Sequence, residues 1–576
     1  MERDRTHNED VAHIFHAIAD MLEIKGDNPF RIRAYRRAAE NLTGLAEDVA
    51  TLMKQETLEE IPGIGKDLAG KIREIVSTRT LREYEKLKEQ VPPGLVELLQ
   101  IPGVGPKTAR LLYEKRGIDT IGKLEAAARS GSLRGLPGIK AKTETNIVRG
   151  IEGLRRASGR TPLGIALPLA HEIIALLRQV KGVRRLQDAG SLRRMKETVG
   201  DIDILALSTA PRKVMDAFVT LPLVRRVMAK GDTKSSVMTR QGIQVDVRVV
   251  KPEAFGAALA YFTGSKAHNI RLREMARKKG LKISEYGVIK ERTGKRIAGK
   301  EEEEIYEILG LPYIPPELRE DSGEIEAALR GRLPDLITVQ DIRGDLHVHS
   351  TWSDGVHPIA EVLDAARKRG YSYIAITDHS KGRGIAHGLT QENLARQRKE
   401  IDRLNHVLED FRILAGIEVD IRADGRLDLS DAVLAKLDFV VASVHSGLRQ
   451  DRETITHRIV RAMGNRHVRV LGHPTGRLVG EREPSAIDFE QLLHAARESR
   501  VVFEINASPL RLDLNDAHAR QVKEAGLPLV INTDTHAIAD FDNIHFGVAT
   551  ARRAWVEKKD VLNTLPLKQL LKRLAH

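Results

Sequence analysis

The chain has 576 residues and a formal net charge of +13 at pH 7. At roughly 100–200 residues per domain, this length indicates about three to five domains, and the 41% of hydrophobic residues excludes a wholly disordered chain. Cysteine is absent, which excludes disulfides, thiolate zinc sites and cysteine nucleophiles.

Location and partners are constrained by the charge pattern. No window is apolar enough for a membrane span, and the N-terminal sequence MERDRTHNED is too charged for a signal peptide. We therefore expect a cytoplasmic protein with no membrane partner. The basic balance suggests a polyanionic partner such as nucleic acid, although a thermophilic or compositionally biased arginine-rich surface explains the charge equally well.

Residues 1–155 are predicted to be helical, because apolar residues recur three and four positions apart. Three related segments, 58–76, 99–117 and 133–151, each read as a short helix, a Pro-Gly turn and a second helix. In the first two copies the turn contains GxG, which permits a tight bend and leaves free backbone N–H groups at the start of the next helix. Such groups form a phosphate site.

These segments resemble helix–hairpin–helix motifs. The residues predicted to bind the DNA backbone are Gly63, Gly65, Lys66, Gly103, Gly105 and Lys107. A single copy would favour an ordinary αα-hairpin, whereas the repetition favours DNA. The third copy reads GIK and could be purely structural.

Residues 183–250 contain short β-rich runs, and they carry three acidic residues of interest. Asp201 and Asp203 are two positions apart on a predicted strand and so share one face, while Asp246 lies on a further strand. Three carboxylates so close need cations to stay ionised, and Mg²⁺ or Mn²⁺ is the natural choice. The alternative is that Asp201 and Asp203 are solvated surface residues.

Two further motifs accompany the carboxylates: the dipeptide Gly-Ser at 190–191 and the segment YFTGSKAHN at 261–269. The second motif lies in a region, 251–316, that has a mostly helical pattern. Together these residues resemble the X family of DNA polymerases, similar to polymerase beta. The resemblance implies two metal ions on the three aspartates, with Asp246 assisting the primer hydroxyl. It implies nucleotide contacts from Gly190, Ser191, Arg194, Tyr261, Phe262, Gly264, Ser265 and Asn269. Lys266 and His268 depart from the polymerase beta pattern.

The same resemblance implies a domain order. The predicted domains are 1–92 (helix–hairpin–helix, lyase-like), 93–155 (fingers-type helix–hairpin–helix), 156–250 (α+β palm), 251–316 (thumb), 317–340 (linker, either a hinge or a packed strap) and 341–576. It also places the Schiff-base lysine of a 5′-deoxyribose phosphate lyase at Lys71, where a surface lysine that binds phosphate is the alternative reading.

Residues 338–576, which include the last predicted domain, hold 15 of the 20 histidines. Seven apolar runs alternate with amphipathic helical stretches, which is typical of βα units. Polar residues follow each run, on the face where barrels carry their sites. Nine candidate metal ligands map to that face: His347, His349, Asp354, His379, Glu418, His445, His473, Asp534 and His536.

This arrangement resembles the PHP (polymerase and histidinol phosphatase) domain, a distorted (βα)7 barrel. The resemblance implies up to three Mn²⁺, Zn²⁺ or Fe ions, with Glu418 bridging two, and metal-dependent phosphoester hydrolysis.

The sequence is identified as a member of the bacterial X-family polymerases with a C-terminal PHP domain. We expect a monomer that fills short gaps in DNA from deoxynucleoside triphosphates, with gapped or primer–template DNA as its partner. The PHP domain would trim 3′ ends as a 3′-5′ exonuclease or incise DNA at abasic sites. The alternatives are a PHP domain that hydrolyses small phosphoesters or one that is a scaffold.

Overall fold

The computed structural model describes residues 7–43, 48–78, 80–99, 101, 103–157, 160–382 and 388–574. The chain forms two compact units, and the main boundary between them falls between residues 159 and 160.

The described residues of the first unit are helical, as predicted. The helices are α1 (His7–Lys25), α2 (Pro29–Thr43), α3 (Val49–Lys54), α4 (Lys66–Thr78), α5 (Arg82–Gln90), α6 (Pro93–Leu98), α7 (Pro106–Arg116), α8 (Ile121–Arg129) and α9 (Ala141–Ala157). Their apolar faces pack into one cluster that includes Phe15, Tyr35, Ile72 and Leu112. Burial of these faces stabilises helices too short to form alone.

The three predicted repeats share one turn. Gly63, Gly103 and Gly138 adopt φ of +79°, +90° and +82°, a conformation that favours glycine. The second glycine of the GxG pattern has no such requirement, since Gly105 has φ of −84°. The third copy therefore keeps the turn although Lys140 replaces that second glycine.

The second unit begins with the predicted palm. Its elements are β1 (Thr161–Pro162), α10 (Leu163–Arg178), β2 (Val183–Asp188), α11 (Gly190–Arg193), β3 (Thr198–Val199), β4 (Ile202–Ser208), α12 (Pro211–Val219), β5 (Val224–Lys230), β6 (Lys234–Thr239) and β7 (Gln244–Val249). Within residues 160–250, all of them described, five strands form a sheet in the order β2-β4-β7-β6-β5, with β4 and β7 parallel. Helices α10 and α12 bury their apolar residues in the same cluster as the sheet.

The thumb region corrects one prediction. Its elements are α13 (Phe255–Thr263), α14 (Lys266–Lys278), β8 (Leu281–Ser284), β9 (Gly287–Lys290), β10 (Arg296–Ala298) and α15 (Glu303–Leu309). The expectation of a mostly helical region overlooked the antiparallel sheet β8–β10. A two-residue hairpin joins β8 to β9, and Gly287 supplies the φ of +132° that follows it.

The segment 317–340 is a packed strap. It contains α16 (Glu324–Leu329), and Leu318, Ile325 and Leu336 are buried in the thumb cluster. Residues this deeply packed do not act as a free hinge.

The C-terminal region is the predicted barrel. Its elements are β11 (Gly344–Val348), α17 (Ile359–Lys368), β12 (Tyr373–Ile376), α18 (Gln391–His406), β13 (Arg412–Asp420), α19 (Asp431–Leu434), β14 (Phe439–Ser443), α20 (Arg452–Met463), β15 (Val470–Leu471), α21 (Phe489–Ser499), β16 (Val502–Asn506), α22 (Asp516–Glu524), β17 (Leu529–Asn532), α23 (Ile544–Arg553) and α24 (Leu567–Leu574). In the described part of this region, seven parallel strands follow chain order. The Leu346 N–H donates to Asn532 Oδ1 (3.0 Å), so the first and last strands nearly close the barrel.

The barrel and the palm pack directly on each other. Val479, Leu512 and Phe546 of the barrel region belong to the hydrophobic cluster of the palm. A Cβ placed on Gly164 would lie 2.4 Å from Pro509, so the two surfaces approach closely at this point. Palm, thumb strap and barrel thus belong to one compact unit.

Candidate metal-binding active sites

The buried carboxylate of Glu418, on β13, is surrounded by imidazole side chains. In the described part of the chain, the imidazoles with a nitrogen within 3.7 Å of its oxygens belong to His347, His349, His379, His445 and His473. The shortest of these distances is 2.8 Å, to His379 Nδ1. The histidines come from different strand ends, so the parallel barrel topology itself assembles the cluster.

Two aspartates extend the cluster toward solvent. Asp534 Oδ1 lies 3.2 Å from His349 Nε2 and 3.5 Å from His347 Nε2. Asp354 lies 3.4 Å from His379 Nε2 and 3.4 Å from His536 Nε2. The side chain of His536 is 36% exposed, which leaves an entrance to a site whose other histidine side chains are at most 9% exposed.

These residues form three overlapping groups that could each hold an ion, counted over the described residues. The groups are His349–Asp354–His379–His536, His347–His349–Asp534 and His379–Glu418–His445, with ligand atoms within 4.8 Å of one another in each. His473 joins none of the three groups but lies 3.0 Å from Glu418.

The unsatisfied atoms of the cluster fit metal ions. In the described residues, Nε2 of His347, Nε2 of His445 and Oε2 of Glu418 are buried and form no hydrogen bond of good geometry. Buried polar atoms are nearly always paired, so a cluster of buried ligand atoms without hydrogen-bond partners fits coordination of a cation. Imidazole and carboxylate together suit Zn²⁺, Mn²⁺ and Fe.

The electrostatics keep two ligands in the form that binds a cation, whereas neighbouring carboxylates, against the effect of burial, raise the pKa of His347, His379 and His536. Burial and the neighbouring His536 and His379 lower the pKa of His349 to about 3. Burial also lowers the pKa of His473 to about 4. Both imidazoles are therefore neutral at pH 7, as a metal ligand must be.

A second acidic cluster lies on the palm sheet. Asp203 on β4 is directly opposite Asp246 on the parallel strand β7, and Asp201 comes just before β4. Burial, then the charges of Asp201 and Asp246, raise the pKa of Asp203 to about 6. Asp246 Oδ1 accepts a hydrogen bond from Gln244 Nε2 (3.0 Å), and Lys234 Nζ lies 3.3 Å from Asp246 Oδ2. Burial opposes the charge of Asp246, but these partners lower the pKa of Asp246 below its usual value. The three carboxylates repel one another and would be stabilised by cations.

The predicted nucleotide residues lie beside this cluster. Gly190 begins α11 with φ of +63°, and a Cβ there would lie 3.0 Å from Asp203 Oδ2. Arg194 ends α11 and donates to the Thr263 carbonyl, next to Gly264. The turn at Gly264 (φ +72°) is thereby brought against α11, which places the 190–194 and 261–269 motifs together.

The aromatic residues follow at the same turn. The rings of Tyr261 and Phe262 meet edge to face, with centroids 5.2 Å apart, and Arg248 lies over the Phe262 ring. Ser265 accepts from the His268 N–H and caps α14, and Asn269 Nδ2 donates to the Tyr261 carbonyl (2.8 Å). Ser191, within α11, lies on the same segment as Gly190.

The two departures from the polymerase beta pattern have different explanations. His268 is fully buried, with Nδ1 2.7 Å from Glu324 and Nε2 3.1 Å from the Tyr306 hydroxyl. It is a core residue that ties α14 to the strap. Lys266 is exposed at the first position of α14.

The amine of Lys71, on α4, contacts two carboxylates and a hydroxyl. Its Nζ lies 2.7 Å from Asp67, 2.7 Å from the Tyr35 hydroxyl and 3.0 Å from Glu83. Burial opposes the charge, but these partners raise the pKa of Lys71 above its usual value. A protonated amine is a poor nucleophile, so this geometry does not favour the lyase role, which stays a prediction.

Sequence reasoning missed residues that hold the ligands in place. Glu504 on β16 accepts from His347 Nδ1 (2.8 Å) and from the His473 backbone N–H (2.7 Å). Asp420 pairs with His445 Nδ1 (3.1 Å). A signal was present for Glu504, because a carboxylate inside the otherwise apolar run VVFEIN has to face a polar partner.

Four family models match separate parts of the chain. Residues 6–81 match the helix-hairpin-helix domain, 95–152 the SAM-like helix-hairpin-helix tandem, 258–320 the DNA polymerase beta thumb and 345–508 the PHP domain.

Among curated proteins, the chain is 42% identical to the DNA polymerase/3'-5' exonuclease PolX of Bacillus subtilis (strain 168) over 566 residues, which is 98% of both chains. The chain belongs to the bacterial PolX family. It is also 24% identical over 352 residues to DNA polymerase lambda of Rattus norvegicus, covering 55% of this chain and 57% of that protein. A "Probable phosphatase" of Thermoanaerobacter sp. (strain X514) is 32% identical over 234 residues, covering 38% of this chain and 89% of that protein.

Membership of the PolX family confirms the predicted combination of a DNA polymerase with a metal-dependent PHP phosphoesterase. The helix–hairpin–helix and thumb matches imply DNA binding. No helix in the described ranges has the length and apolar character needed to cross a lipid bilayer.

Proposed function

We propose that this PolX protein fills short gaps in DNA at the palm carboxylates and removes nucleotides from DNA 3′ ends at the barrel cluster. The observation that carries the proposal is that one compact unit holds two separate clusters of ionisable side chains. One is a set of three neighbouring palm carboxylates beside the turn at Gly190, and the other is a histidine-rich, metal-capable cluster around a buried glutamate.

At the palm, Asp201, Asp203 and Asp246 would hold two Mg²⁺ or Mn²⁺ ions. Gly190, Ser191 and Arg194 would contact the triphosphate of the incoming deoxynucleotide, because the first N–H groups of a helix, which begins here at Gly190, have no partner within the helix, and Arg194 supplies positive charge. Tyr261, Phe262, Gly264, Ser265 and Asn269 would line the sugar and base. Asp246 would accept the proton of the primer 3′-hydroxyl.

At the barrel, the nine predicted ligands would hold up to three Mn²⁺, Zn²⁺ or Fe ions. When bound, such ions lower the pKa of water and stabilise negative charge on the phosphate. The protein orients the ligands, since Glu504 fixes the His347 ring and Asp420 fixes the His445 ring. The exposed edge at His536 admits the DNA end.

The partners follow from these sites. Gapped or primer–template DNA would be gripped by the helix–hairpin–helix turns at Gly63, Gly65, Lys66, Gly103, Gly105 and Lys107. A monomer in the cytoplasm, and incision beside abasic sites, stay predictions.

A second activity is favoured by one observation. The likeness to the probable phosphatase spans 89% of that protein and 234 residues of this chain, a length similar to that of region 341–576. Hydrolysis of small phosphomonoesters is therefore the competing function of the barrel cluster.

The test uses a 5′-labelled primer on a duplex with a one-nucleotide gap, in Mn²⁺, with and without the four deoxynucleotides. We expect extension by one nucleotide when they are present and shortening when they are absent. Extension with no shortening, together with turnover of a phosphomonoester, would assign the barrel to the small-substrate activity.

A further inference from the structure

Arg194, the proposed triphosphate ligand, is held by a carboxylate from the strap. Its Nε donates to Glu320 Oε1 (3.0 Å), and its Nη1 donates to the Thr263 carbonyl. The Arg194 side chain is 12% exposed and that of Glu320 24%. The position and effective charge of Arg194 therefore depend on Glu320.

Glu320 is shared with an arginine from the barrel. Arg553, the last residue of α23, donates from Nη1 to the same Glu320 oxygen (3.0 Å) and to the Arg194 backbone carbonyl (2.8 Å). Its Nη2 lies 2.7 Å from Asp516 on α22. Arg553 is nearly buried, so water cannot replace these contacts without rearrangement.

We propose that Arg553 is a positioning residue for nucleotide binding, so that the barrel sets the affinity of the palm for the incoming triphosphate through Glu320 and Arg194. This inference rests on the proposed function of Arg194. It assigns the barrel a role in polymerisation that is independent of its own hydrolytic chemistry.

The charge around Glu320 depends on Arg553. In the intact cluster, two guanidiniums face two carboxylates, and Glu320 divides its charge between Arg194 and Arg553. Without Arg553 these contacting groups have a net negative charge, and Glu320 pairs with Arg194 alone. Glu320 would then neutralise more of the charge of Arg194 and shift its side chain, so Arg194 would attract a triphosphate less strongly.

The neighbouring Arg552 provides a matched control. It lies on the same helix and also connects the barrel to the strap, through Glu317 (2.7 Å) and the Ile337 carbonyl (3.0 Å). Its hydrogen-bond partners do not include Glu320 or Arg194. Removing Arg552 tests whether any weakened docking of the strap has the same effect.

The experiment uses the full-length protein and variants Arg553→Ala, Arg553→Lys, Arg552→Ala and Arg194→Ala. We would measure the equilibrium Kd for a deoxynucleoside triphosphate, KM and kcat for gap filling, and the exonuclease rate. We expect Arg553→Ala to raise Kd and KM about tenfold, a change within the range of couplings between contacting residues. The values of kcat and of the exonuclease rate should stay close to wild type.

The comparison of variants decides between explanations. Arg553→Lys should recover part of the affinity and keeps the test valid if the alanine variant does not fold. In the Arg194→Ala background, Arg553→Ala should cause no further loss, because its effect passes through Arg194. Arg552→Ala should bind the nucleotide as wild type does.

Two kinds of failure can be told apart. If Arg194→Ala leaves nucleotide affinity unchanged, the proposed function of Arg194 is wrong. If Arg194→Ala weakens binding but Arg553→Ala does not, or if Arg552→Ala weakens it equally, the positioning role of Arg553 is overturned. The positioning role would also be overturned if the double variant lost nucleotide affinity by the product of the two single-variant losses.

Discussion

At the scale of single residues, buried charges are stabilised by their partners. Glu302 is 4% exposed and bonds to Arg319 and, at 2.8–2.9 Å, to Arg193. Burial opposes its charge, but Arg319 and Arg193 lower the pKa of Glu302 from 4.5 to about 2. Such a group is costly to break, because without Glu302 both arginines lose a counter-charge while they stay largely buried.

The pH dependence of stability follows from this shift. Because the folded-state pKa of Glu302 is below its unfolded value, its contribution, about 3 kcal/mol, is complete above pH 4.5 and is lost as the pH falls toward about 2. Glu302→Gln should therefore lower the unfolding free energy at pH 7, and the gap to wild type should narrow below about pH 4.5. Urea unfolding at several pH values measures this gap. Glu303→Gln, at an exposed neighbour, is the control, and a gap independent of pH would contradict the argument.

Glu504 is the residue whose removal should affect the barrel ions most selectively. Its two oxygens accept from His347, from the His473 backbone and from Asn532 (2.9 Å). Glu504→Gln keeps the shape of the side chain but places an amide N–H donor against groups that donate hydrogen bonds to Glu504 in the wild type. We expect about 10- to 100-fold weaker metal binding, measured as metal content after dialysis, with gap filling unchanged. Glu498→Gln, an exposed carboxylate on α21, should keep its metal. Full metal content in Glu504→Gln would refute the role.

At the scale of elements, one glycine of each hairpin turn carries the conformational constraint. Gly103 has φ of +90° and Gly105 has φ of −84°, and a Cβ on either would meet no atom within 4 Å. Gly103→Ala should therefore cost about 1–2 kcal/mol in backbone strain, whereas Gly105→Ala should cost little. Denaturant unfolding measures the difference.

The same pair of variants tests DNA binding by the turn. Gly103→Ala should weaken binding to a gapped duplex and reduce the salt dependence of binding, because distortion of the turn removes phosphate contacts. Binding can be measured by fluorescence anisotropy at two salt concentrations. Binding by both variants that equals binding by the wild type would show that this hairpin does not bind the DNA backbone.

The elements differ in how well the sequence predicted them. The barrel strands were predictable because apolar runs ended in polar residues, and βα alternation leaves few topologies. The sheet β8–β10 was missed because its strands have only three or four residues and lie between strong helical patterns. Glu504 does not follow the pattern of a polar residue after an apolar run, because it lies within β16, and that pattern therefore did not reveal it.

At the scale of the whole molecule, what the sequence could not predict is how distant segments meet. Arg553 and Glu320 are 233 positions apart, and no local pattern marks them as partners. The nine predicted ligands of the barrel lie in one domain of recognisable topology, so their proximity could be expected. The packing of palm, strap and barrel into one unit depends on complementary surfaces such as Gly164 and Pro509.

A single unit with two centres should still allow each chemistry to be removed alone. Asp203→Ala removes a palm carboxylate and should abolish nucleotide addition while the exonuclease persists. His349→Ala removes a histidine that contributes to two of the three barrel groups and should do the reverse. Each rate is measured on the gapped duplex, with thermal unfolding as the folding control. Asp203→Ala should be no less stable than wild type, because Asp201 and Asp246 lose a repelling neighbour. Loss of both activities in either folded variant would mean that the two centres do not act independently.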